Sequence, residues 1–480
     1  MLKDVVPFDR VWAKAHASSL AVRSLISFIN FLEQRLGGEF AYDMARIGYE
    51  SADLVDLFEL AETFRARGII TSYEKLPSIP DEPRVVNWYA ECGTSKHATA
   101  KGSALDDERR ALTTMLGEAL ERYVWFESAD PFAARRNATV EEMRRKNNIE
   151  PARFASYGKE QRAKNGRLRF APDCLFAWVK GYSWTGKKPV WIPAQVVSGN
   201  KKLCAFSPLN TEPAIRPSIT TGLAVHPVRI HALLSGALEV IERDAYVITW
   251  LNRISPPRVD TEELSKRNGF FARLVEQCRR HRFEPHILRF PTDAPAYALG
   301  AVLEDKTGNL PRFSFGLKAG ADPAVAAEGA LLEALRAHRG TREQGNGGGS
   351  SDMKPKEVGQ YGRLLYWAQE GYADRLAFLI EGDARPLGKE AWGNDADEAH
   401  FARIAEWCRT RGYELASASL TGAAANVPGW HIEFVVIPEL QPLYYDETLP
   451  PVGGARLSEI PRQFGYAPRD PYLDEPHPFA

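Results

Sequence analysis

The pattern Glu-x-x-Glu-Arg occurs twice in this chain and limits how two of its segments can fold. Positions i, i+3 and i+4 share one face of an α-helix, so each copy predicts a helix that presents two carboxylates and one guanidinium side by side. Both copies lie in apolar runs, LTTMLGEALERYVWF and IHALLSGALEVIERDAYVITWL, which indicates that both helices are largely buried. The six residues are Glu118, Glu121 and Arg122 in the first copy and Glu239, Glu242 and Arg243 in the second.

Two acidic groups on one buried helix face repel each other. At a separation of about 5 Å and an effective dielectric constant of about 20, the repulsion is roughly 3 kcal/mol. Cations can offset this cost, either as intrahelical pairs at i, i+4, Glu118–Arg122 and Glu239–Arg243, or as a bound metal ion. Because the pattern occurs twice, we favour Mg²⁺ with a polyphosphate: Mg²⁺ prefers carboxylate and phosphate oxygens, and arginine clamps phosphate.

The usual nucleotide-binding motifs are absent from the sequence. It contains no G-x-x-x-x-G-K-[ST] loop, no kinase H-R-D or D-F-G element and no G-x-G-x-x-G after a strand. Two loops of small residues, predicted at 93–104 and 220–227, lead into the two Glu-x-x-Glu-Arg helices and would suit the approach of phosphate, although ordinary connections have the same composition. A third helix places Glu333 and Arg336 at i, i+3 and could complete the site.

The composition argues against several classes of partner. The chain has 61 basic and 62 acidic residues and a net charge of −1, so nothing indicates a general attraction to nucleic acid or to an anionic membrane. Its five cysteines are scattered and form no Cys-x-x-Cys pair, which argues against a zinc site or a disulfide framework and fits a reducing compartment. No segment reads as a signal peptide or a membrane span. We therefore predict a cytoplasmic protein.

The order of apolar patterns predicts an α/β or α+β fold with helices packed on mixed sheets. Residues 1–67 read as a helical region, and strand-like runs alternate with helices over 68–467. Five helices are predicted in that part, at 104–126, 229–250, 261–282, 322–339 and 398–412. The last segment, 468–480, is rich in proline and is expected to be extended.

Taken together, these segments resemble the YcaO family, and within it the azoline-forming cyclodehydratases (D proteins) of thiazole/oxazole-modified microcin-type pathways. TTMLGEALERY is similar to the family's S-x-x-x-E-x-x-E-R element, with Thr114 at the serine position. ALEVIERDAYVITWLN is similar to its second nucleotide-binding helix, and ALLEALRAHR to the third, with Arg336 where many members carry glutamine. The ending DEPHPFA resembles the proline-rich terminus of the azoline-forming subgroup, with Ala480 where many members end in proline.

The resemblance implies a YcaO-type fold and an ATP- and Mg²⁺-dependent reaction on a ribosomal precursor peptide. A Cys, Ser or Thr side chain attacks the preceding amide carbonyl. Phosphorylation then converts the amide oxygen to a leaving group, and a thiazoline or oxazoline results. Two alternatives remain: a relative that forms thioamides or amidines in a peptide backbone, and a noncatalytic scaffold of a peptide-modifying complex.

The resemblance also implies roles for particular residues of this chain. The nucleotide pocket would be formed by ten residues: Lys101, Thr114, Glu118, Glu121, Arg122, Glu239, Glu242, Arg243, Glu333 and Arg336. The metal would be held by four of them: Glu118, Glu121, Glu239 and Glu242. The tail would reach the active site, so the catalytic candidates are Arg243, Pro478 and Ala480.

Related enzymes usually work with other proteins, and the resemblance implies partners here. We expect a separate E1-like or ThiF-like protein that holds the leader of the precursor peptide, because this chain has no Cys-x-x-Cys zinc pairs and no long N-terminal fusion of that type. A flavin-dependent azoline dehydrogenase could follow in the pathway. A homodimer within a larger complex is also expected, and residues 1–67 could serve partner docking or dimerisation.

Overall fold

The chain divides into two compact units, Met1–Arg67 and Gly68–Ala480. The computed structural model describes residues 56–94, 98–127, 132, 134–155, 157–199, 212–345, 354–360, 362–369, 371–387, 396–421 and 430–479. In the first unit, residues 56–66 are helical, and the rest of the predicted N-terminal helical region lies outside the described residues. The paragraphs below concern the second unit.

The second unit alternates strands and helices. Its strands are β1 (Ile70–Leu76), β2 (Val85–Cys92), β3 (Thr99–Leu105), β4 (Arg135–Thr139), β5 (Leu175–Ser183), β6 (Lys188–Pro193), β7 (Leu223–His226), β8 (Arg258–Val259), β9 (Phe283–Arg289), β10 (Tyr297–Asp305), β11 (Phe313–Gly320), β12 (Ala384–Arg385), β13 (Ala416–Ser419) and β14 (His431–Val436). Its α-helices are α1 (Glu108–Glu127), α2 (Val140–Arg144), α3 (Lys159–Lys164), α4 (Arg229–Leu251), α5 (Thr261–Ser265), α6 (Gly269–Arg280), α7 (Pro323–Gly345), α8 (Gly362–Trp367), α9 (Asp397–Arg411) and α10 (Arg456–Gln463).

These strands form three sheets. The first has the order β1-β2-β3 and is antiparallel. The second has the order β11-β10-β9-β8-β12, antiparallel except for the parallel pair of β8 and β12. The third has the order β4-β5-β13-β14-β7, with β6 paired to β5. Mixed sheets covered by helices confirm the predicted α/β (α+β) class.

Helix α4, which carries the second Glu-x-x-Glu-Arg copy, lies between two sheets. It packs on β14 and β7 of the third sheet and on β11 and β10 of the second. All residues of 244–251 are buried, which explains why the apolar residues there occur on every side of the helix and not along one stripe; Asp244 and Thr249 are the polar exceptions. Helix α1 packs on β3 and β2 and also contacts β7, whereas α7 packs on β11 and β10. The three Glu-bearing helices are thus joined through neighbouring strands.

Glycines let two of these helices lie directly on their strands. A Cβ on Gly102 in β3 would lie 1.8 Å from the carbonyl oxygen of Ala111 in α1. A Cβ on Gly316 in β11 would lie 2.0 Å from the carbonyl oxygen of Ala330 in α7. Both helix–strand contacts are therefore backbone to backbone, which brings helix side chains within reach of the strand amides.

We expect Gly102→Ala to destabilise the protein by about 1–3 kcal/mol, because the added methyl group meets backbone and forces α1 away from β3. The measurement is the free energy of unfolding from denaturant titration. Gly117→Ala is the matched control, since Gly117 lies on α1 with open space around its Cβ position, and it should stabilise by up to about 1 kcal/mol. A Gly102→Ala protein as stable as the native one would show that the close approach is not required.

Several elements differ from the sequence predictions. Helix α1 begins at Glu108 and not at residue 104, because Ala104 and Leu105 pair with Val86 and Val85 in the first sheet. The predicted loops at 93–104 and 220–227 contain strands β3 and β7.

The helix predicted at 261–282 is two helices. Helix α5 ends at Ser265, and the side chain of Asn268 caps α6 by accepting from the backbone N–H groups of Phe270 and Phe271 at 2.8 and 3.1 Å.

The proline-rich end of the chain is packed into the core. Hydrogen bonds to the core hold its backbone. The amide of Leu473 donates to the Leu251 carbonyl at 2.9 Å, and two indole N–H groups donate to tail carbonyls, Trp250 to Glu475 at 3.1 Å and Trp367 to Pro476 at 2.9 Å. His477 is fully buried, and Phe479 is 3% exposed. Among the described residues, no helix combines the length and apolarity needed to cross a bilayer.

Candidate active site

The first Glu-x-x-Glu-Arg copy is fixed to the strand that precedes its helix. The Glu118 carboxylate accepts the backbone N–H of Lys101 in β3 at 3.0 Å through Oε2. Its other oxygen, Oε1, lies 3.1 Å from Arg122 Nη2 one turn along the helix. The intrahelical Glu118–Arg122 pair suggested by the sequence is thus present, and it involves only one of the two carboxylate oxygens.

The second copy repeats this arrangement. Glu239 Oε2 accepts the backbone N–H of Gly222 at 2.9 Å, and its Oε1 lies 3.5 Å from Arg243 Nη2. Gly222 has φ +97°, and a Cβ there would lie 2.1 Å from the Val435 carbonyl oxygen, so only glycine lets this amide turn toward the helix.

Two further glutamates bind amides of the same strand, β11. Glu242 Oε2 accepts the N–H of Ala319 at 2.8 Å, and Glu333 Oε2 on α7 accepts the N–H of Leu317 at 2.7 Å. Glu242 is 3% exposed and lies 2.9 Å from Arg243 Nη1. Each of these carboxylates is oriented by a backbone amide outside its own helix, so the sheets fix the directions in which the acids point.

Electrostatic interactions show that the acids of the three helices form one cluster. Burial raises the pKa of Glu121 to about 8, and the nearby charges of Glu239 and Glu118 raise it further, while Arg122 opposes them. Burial also raises the pKa of Glu333, which feels Arg243 and Glu242. The structure therefore brings together acids from both repeats and the third helix.

The raised pKa of Glu121 predicts that the free energy of unfolding decreases as pH rises. An unfolded carboxyl loses its proton near pH 4.5, whereas Glu121 in the folded chain keeps its proton up to about pH 8. Folding stability contributed by this group therefore decreases as pH rises from about 4.5 to about 8. Because Gln cannot ionise, Glu121→Gln should melt about 2–4 °C above the native protein at pH 8.5, with a smaller difference at pH 6.

The melting temperature should be recorded without nucleotide across this pH range. Glu160→Gln, which changes an exposed carboxyl on α3, is the control and should leave the pH profile unchanged. A Glu121→Gln profile that runs parallel to the native one would contradict the buried acidic cluster.

Arg243 is the cation at the centre of this cluster. Burial lowers its pKa, but the carboxylates of Glu242, Glu239 and Glu333 outweigh burial and raise the pKa above its usual range. The guanidinium carbon lies 4.2 Å from the centre of the Phe479 ring, a cation–π contact with the tail. Its Nε has no hydrogen-bond partner within the part of the chain that the structure describes.

The remaining predicted residues lie at different distances from the acids. The ammonium nitrogen of Lys101 lies beside Gly340 of α7, one turn beyond Arg336. It is 3.8 Å from the position that a Cβ on Gly340 would occupy. Arg336 Nη2 lies 3.9 Å from Glu333 Oε1. Thr114 is exposed, one turn before Glu118, and its hydroxyl donates to the Arg110 carbonyl at 2.8 Å. Pro478 is buried beside Phe479, and Ala480 lies outside the described residues.

Sequence reasoning missed residues that complete the surroundings of Arg243. Burial raises the pKa of Tyr445, and the charges of Arg243, Arg363 and Arg122 oppose this, so the phenol lies near both Glu-x-x-Glu-Arg helices. Arg363, which is fully buried, lies 2.9 Å from Glu447 and donates to the His477 carbonyl at 3.3 Å. None of these residues belongs to a periodic pattern, so the sequence offered no signal beyond the apolar tail.

The donor set fits a divalent cation held with a polyphosphate. Mg²⁺ with a nucleotide usually takes one or two carboxylates, with phosphate oxygens and water as its other ligands. Within the described ranges, no group of three or more His, Cys, Asp or Glu side chains is arranged to hold a metal ion. One sign of fit is Glu121: burial raises its pKa, two neighbouring carboxylates raise it further, and a cation would relieve that repulsion. The unpaired Nε of Arg243 is a second such sign, as a donor for an anion.

Comparison with known proteins identifies the family. Residues 102–441, more than half of the chain, match the family described as YcaO cyclodehydratase, ATP- and Mg²⁺-binding. The chain belongs to the YcaO family, which confirms the resemblance found in the sequence, and the description agrees with the predicted cofactors, ATP and Mg²⁺. An uncharacterised protein of Methanothermobacter thermautotrophicus is 28% identical over 174 residues, which cover 35% of this chain and 43% of that protein.

Solved structures share the fold at low identity. A heterocyclase in complex with substrate and cofactor superposes with a TM-score of 0.68 at 20% identity, covering 86% of this chain and 55% of the heterocyclase. YcaO of Methanopyrus kandleri, bound with AMPPCP and Mg²⁺, gives 0.58 at 18% identity and coverages of 83% and 93%. The E. coli microcin synthetase McbBCD complex gives 0.55 at 14% identity and coverages of 77% and 88%. The chain thus spans about half the length of the heterocyclase and of the curated relative that it matches.

Proposed function

We propose that the protein is an ATP-dependent cyclodehydratase that converts Cys, Ser or Thr residues of a ribosomally synthesised precursor peptide into thiazoline or oxazoline rings. The observation that carries this proposal is that the acidic cluster and the proline-rich tail both contact Arg243. Carboxylates from two Glu-bearing helices lie beside its guanidinium, and the aromatic ring of Phe479 in the proline-rich tail packs against it. The acids fit an Mg²⁺–nucleotide site, and the tail places a second, apolar element beside that site.

The chemistry needs a way to remove an amide oxygen. After the side-chain thiol or hydroxyl attacks the preceding carbonyl, the former amide oxygen is a very poor leaving group. ATP supplies the phosphoryl group that makes this oxygen leave as phosphate, and the ring nitrogen and carbon then share a double bond. The thiol or hydroxyl proton and the amide proton are the two protons that must be accepted during the reaction.

Different residues of the site would bind the metal, balance the phosphoryl charge and form the nucleotide pocket. Mg²⁺ would take its carboxylate ligands from four residues, namely Glu118, Glu121, Glu239 and Glu242, and its other ligands from phosphate and water. Arg243 would balance negative charge on the transferred phosphoryl group, because a guanidinium fixed in a buried site is more effective there than in water. Arg122, Lys101, Thr114, Glu333 and Arg336 would complete the nucleotide pocket.

The tail would close the other side of the reacting centre. Pro478 and Phe479 are buried and held in place by their neighbours, so they would exclude water and keep the substrate amide close to Arg243. Ala480 would follow at the reacting centre itself, as the family resemblance suggests. A tail fixed before substrate binds loses little entropy on binding, which favours a catalytic geometry.

We further propose that the protein acts with a leader-binding protein of the E1-like or ThiF-like class, within a complex. The resemblance in the sequence suggests this, and the microcin synthetase structure with a similar fold is a complex of several proteins. A homodimer in such an assembly and a later flavin-dependent azoline dehydrogenase remain part of the proposal.

Mass spectrometry of a candidate precursor peptide tests the reaction. The peptide, the protein and the partner encoded beside it are incubated with ATP and Mg²⁺, and each ring should remove the mass of one water. No reaction should occur without ATP. A mass gain equal to the difference between sulfur and oxygen would instead identify thioamide formation and overturn the proposal.

A further inference from the structure

A second cleft, with a cavity volume of about 420 Å³, lies outside the acidic cluster. Helix α3 and the segments on either side of it form one wall, and the loop around Gly453 contributes to the other. The side chains that matter for its chemistry are Phe154, Tyr157, Lys159, Arg162, Arg169 and Phe170.

Three of these six side chains are aromatic. Phe154 is 3% exposed and Tyr157 is 7% exposed, so both present only an edge or face to the cavity. The guanidinium of Arg162 lies over the Phe170 ring, with its carbon 4.6 Å from the ring centre. These rings offer apolar contact area at a low entropic cost, as in many peptide-binding sites.

The other half of the lining is cationic. Lys159, Arg162 and Arg169 line the cleft without an ion pair to any carboxylate that the structure describes. The Arg169 guanidinium is held by α3, because its Nε donates to the Arg162 carbonyl at 2.6 Å and its Nη2 donates to the Ala163 carbonyl. Arg162 is built into place, because its Nε and Nη1 donate to the carbonyls of Tyr157 and Leu168 at 3.0 and 2.8 Å. Burial lowers its pKa, and no neighbouring carboxylate offsets this. A fourth guanidinium, that of Arg216, is buried behind Phe154 at 5.7 Å from its ring centre.

Three cations gathered in one cleft repel each other and attract an anion. The chain as a whole carries a net charge of −1, so its acidic and basic residues are nearly equal in number, whereas this cleft has an excess of basic residues. Asp446 is an exposed acid near the cleft: burial raises the pKa of Tyr157, and the charge of Asp446 raises it further. Its Oδ1 accepts the backbone N–H and the hydroxyl of Thr448. Among the described residues, Asp446 forms no ion pair with the three cations, and the two arginines donate only to backbone carbonyls.

The cleft is connected to the acidic cluster through the chain. A Cβ on Gly453 would lie 2.3 Å from the carbonyl oxygen of Tyr157, so the loop around Gly453 rests on the cleft wall. Eight residues earlier, Tyr445 lies near Arg243. Eight residues span at most about 28 Å, so the cleft wall at Gly453 and Tyr445 lie within that distance of each other, which is the length of an extended peptide of eight residues.

We propose that this cleft binds an acidic segment of the precursor peptide, with a Glu or Asp carboxylate between Lys159, Arg162 and Arg169 and a neighbouring apolar side chain against Phe154 and Phe170. The inference rests on the proposed function for the identity of its ligand. The aromatic half favours a peptide over a free phosphate ion, because phosphate has no apolar part to place there. The cleft would hold the precursor peptide while residues further along that peptide are modified.

Peptide binding measured without ATP tests the cleft independently of ring formation. The probe is a short fluorescein-labelled peptide of alternating Glu and Phe residues, compared with the same peptide carrying Gln for Glu, in about 0.15 M salt. Fluorescence anisotropy should show binding of the Glu peptide to the full chain. Lys159→Glu should weaken it about tenfold, as should Arg162→Glu.

Lys164→Glu is the matched control, since Lys164 is an exposed lysine on the same helix that does not line the cleft. It should leave the affinity within about twofold of the native value. Arg162 supports two carbonyls, so melting temperatures are needed for its variant, whereas Lys159 is exposed and its replacement should leave the fold intact.

Three results would overturn the inference. They are equal binding of the Glu and Gln peptides, unchanged binding by the folded Lys159→Glu protein, and full displacement of the Glu peptide by inorganic phosphate or AMP at equal concentration, which would assign the cleft to small anions. If the Glu peptide binds as expected but no precursor forms a ring, the proposed reaction fails and the cleft assignment stands.

Discussion

Glu239→Gln is expected to lower peptide-dependent ATP hydrolysis by about a hundredfold or more. The amide oxygen of Gln can still accept the N–H of Gly222, so the helix should stay in place. What is lost is the negative charge beside Arg243 and Glu121, to which we assign a part in the binding of Mg²⁺ with ATP. The measurement is phosphate release with and without precursor peptide, together with the shift in melting temperature caused by Mg²⁺–ATP. Both should fall in this variant.

Glu276→Gln is the control for this prediction. Glu276 forms an i, i+4 pair with Arg280 at 2.7 Å, on a helix outside the cluster, so the substitution removes the same intrahelical pair without touching the acids of the site. It should retain native ATP hydrolysis. If Glu239→Gln behaves like Glu276→Gln, the second Glu-x-x-Glu-Arg copy is only a pair of salt bridges and the metal assignment is wrong.

Removal of Pro476 to Ala480 is expected to abolish ring formation while the affinity for ATP stays within a few-fold of the native value. The deletion removes the ring over Arg243 and the carbonyl bonded by Trp367, but no carboxylate of the cluster. Ring formation is measured by mass spectrometry of the peptide, and ATP affinity by calorimetry. Equal loss of both would identify the tail as a structural element only.

Because the tail is buried, its deletion also exposes core surface, and a gentler variant is needed. Phe479→Leu keeps an apolar side chain in the core but removes the aromatic face from Arg243, so it should slow ring formation more than it lowers the melting temperature. Asp474→Ala is the control in the same segment, since its side chain is 70% exposed. Native ring formation by Phe479→Leu would show that the stacking contact has no role in the reaction.

The sequence predicted the helices of the site because their signals are local. The Glu-x-x-Glu-Arg copies lie on α1 and α4, and the observed span of α4, Arg229–Leu251, differs from the prediction by one residue. An apolar helix of more than twenty residues carries many consistent signals, so its extent is well determined. The break between α5 and α6 was missed because the cap at Asn268 interrupts a pattern whose apolar spacing continues.

The segments 93–104 and 220–227, which include most of β3 and all of β7, were read as phosphate loops because they are rich in small residues. Gly102 in β3 is required by the close approach of α1, and that approach cannot be seen in the order of residues. The sequence therefore predicted a loop at a position where the fold has a strand, β3. Its glycine allows α1 to pack closely against it. Strand β3 also supplies the backbone amide of Lys101 to Glu118, as β11 supplies amides to Glu242 and Glu333.

The sequence by itself determined which residue types could form a site: paired acids and arginines on buried helices, with an apolar, proline-rich tail. Helical periodicity and burial are properties of short segments, so they can be read from the chain. Only the tertiary structure decided that Glu121 lies near Glu239, that Phe479 covers Arg243, and that α3 and its flanking segments gather unpaired cations in a cleft. These are contacts between residues far apart in the chain, and they depend on how the sheets are paired and the helices packed.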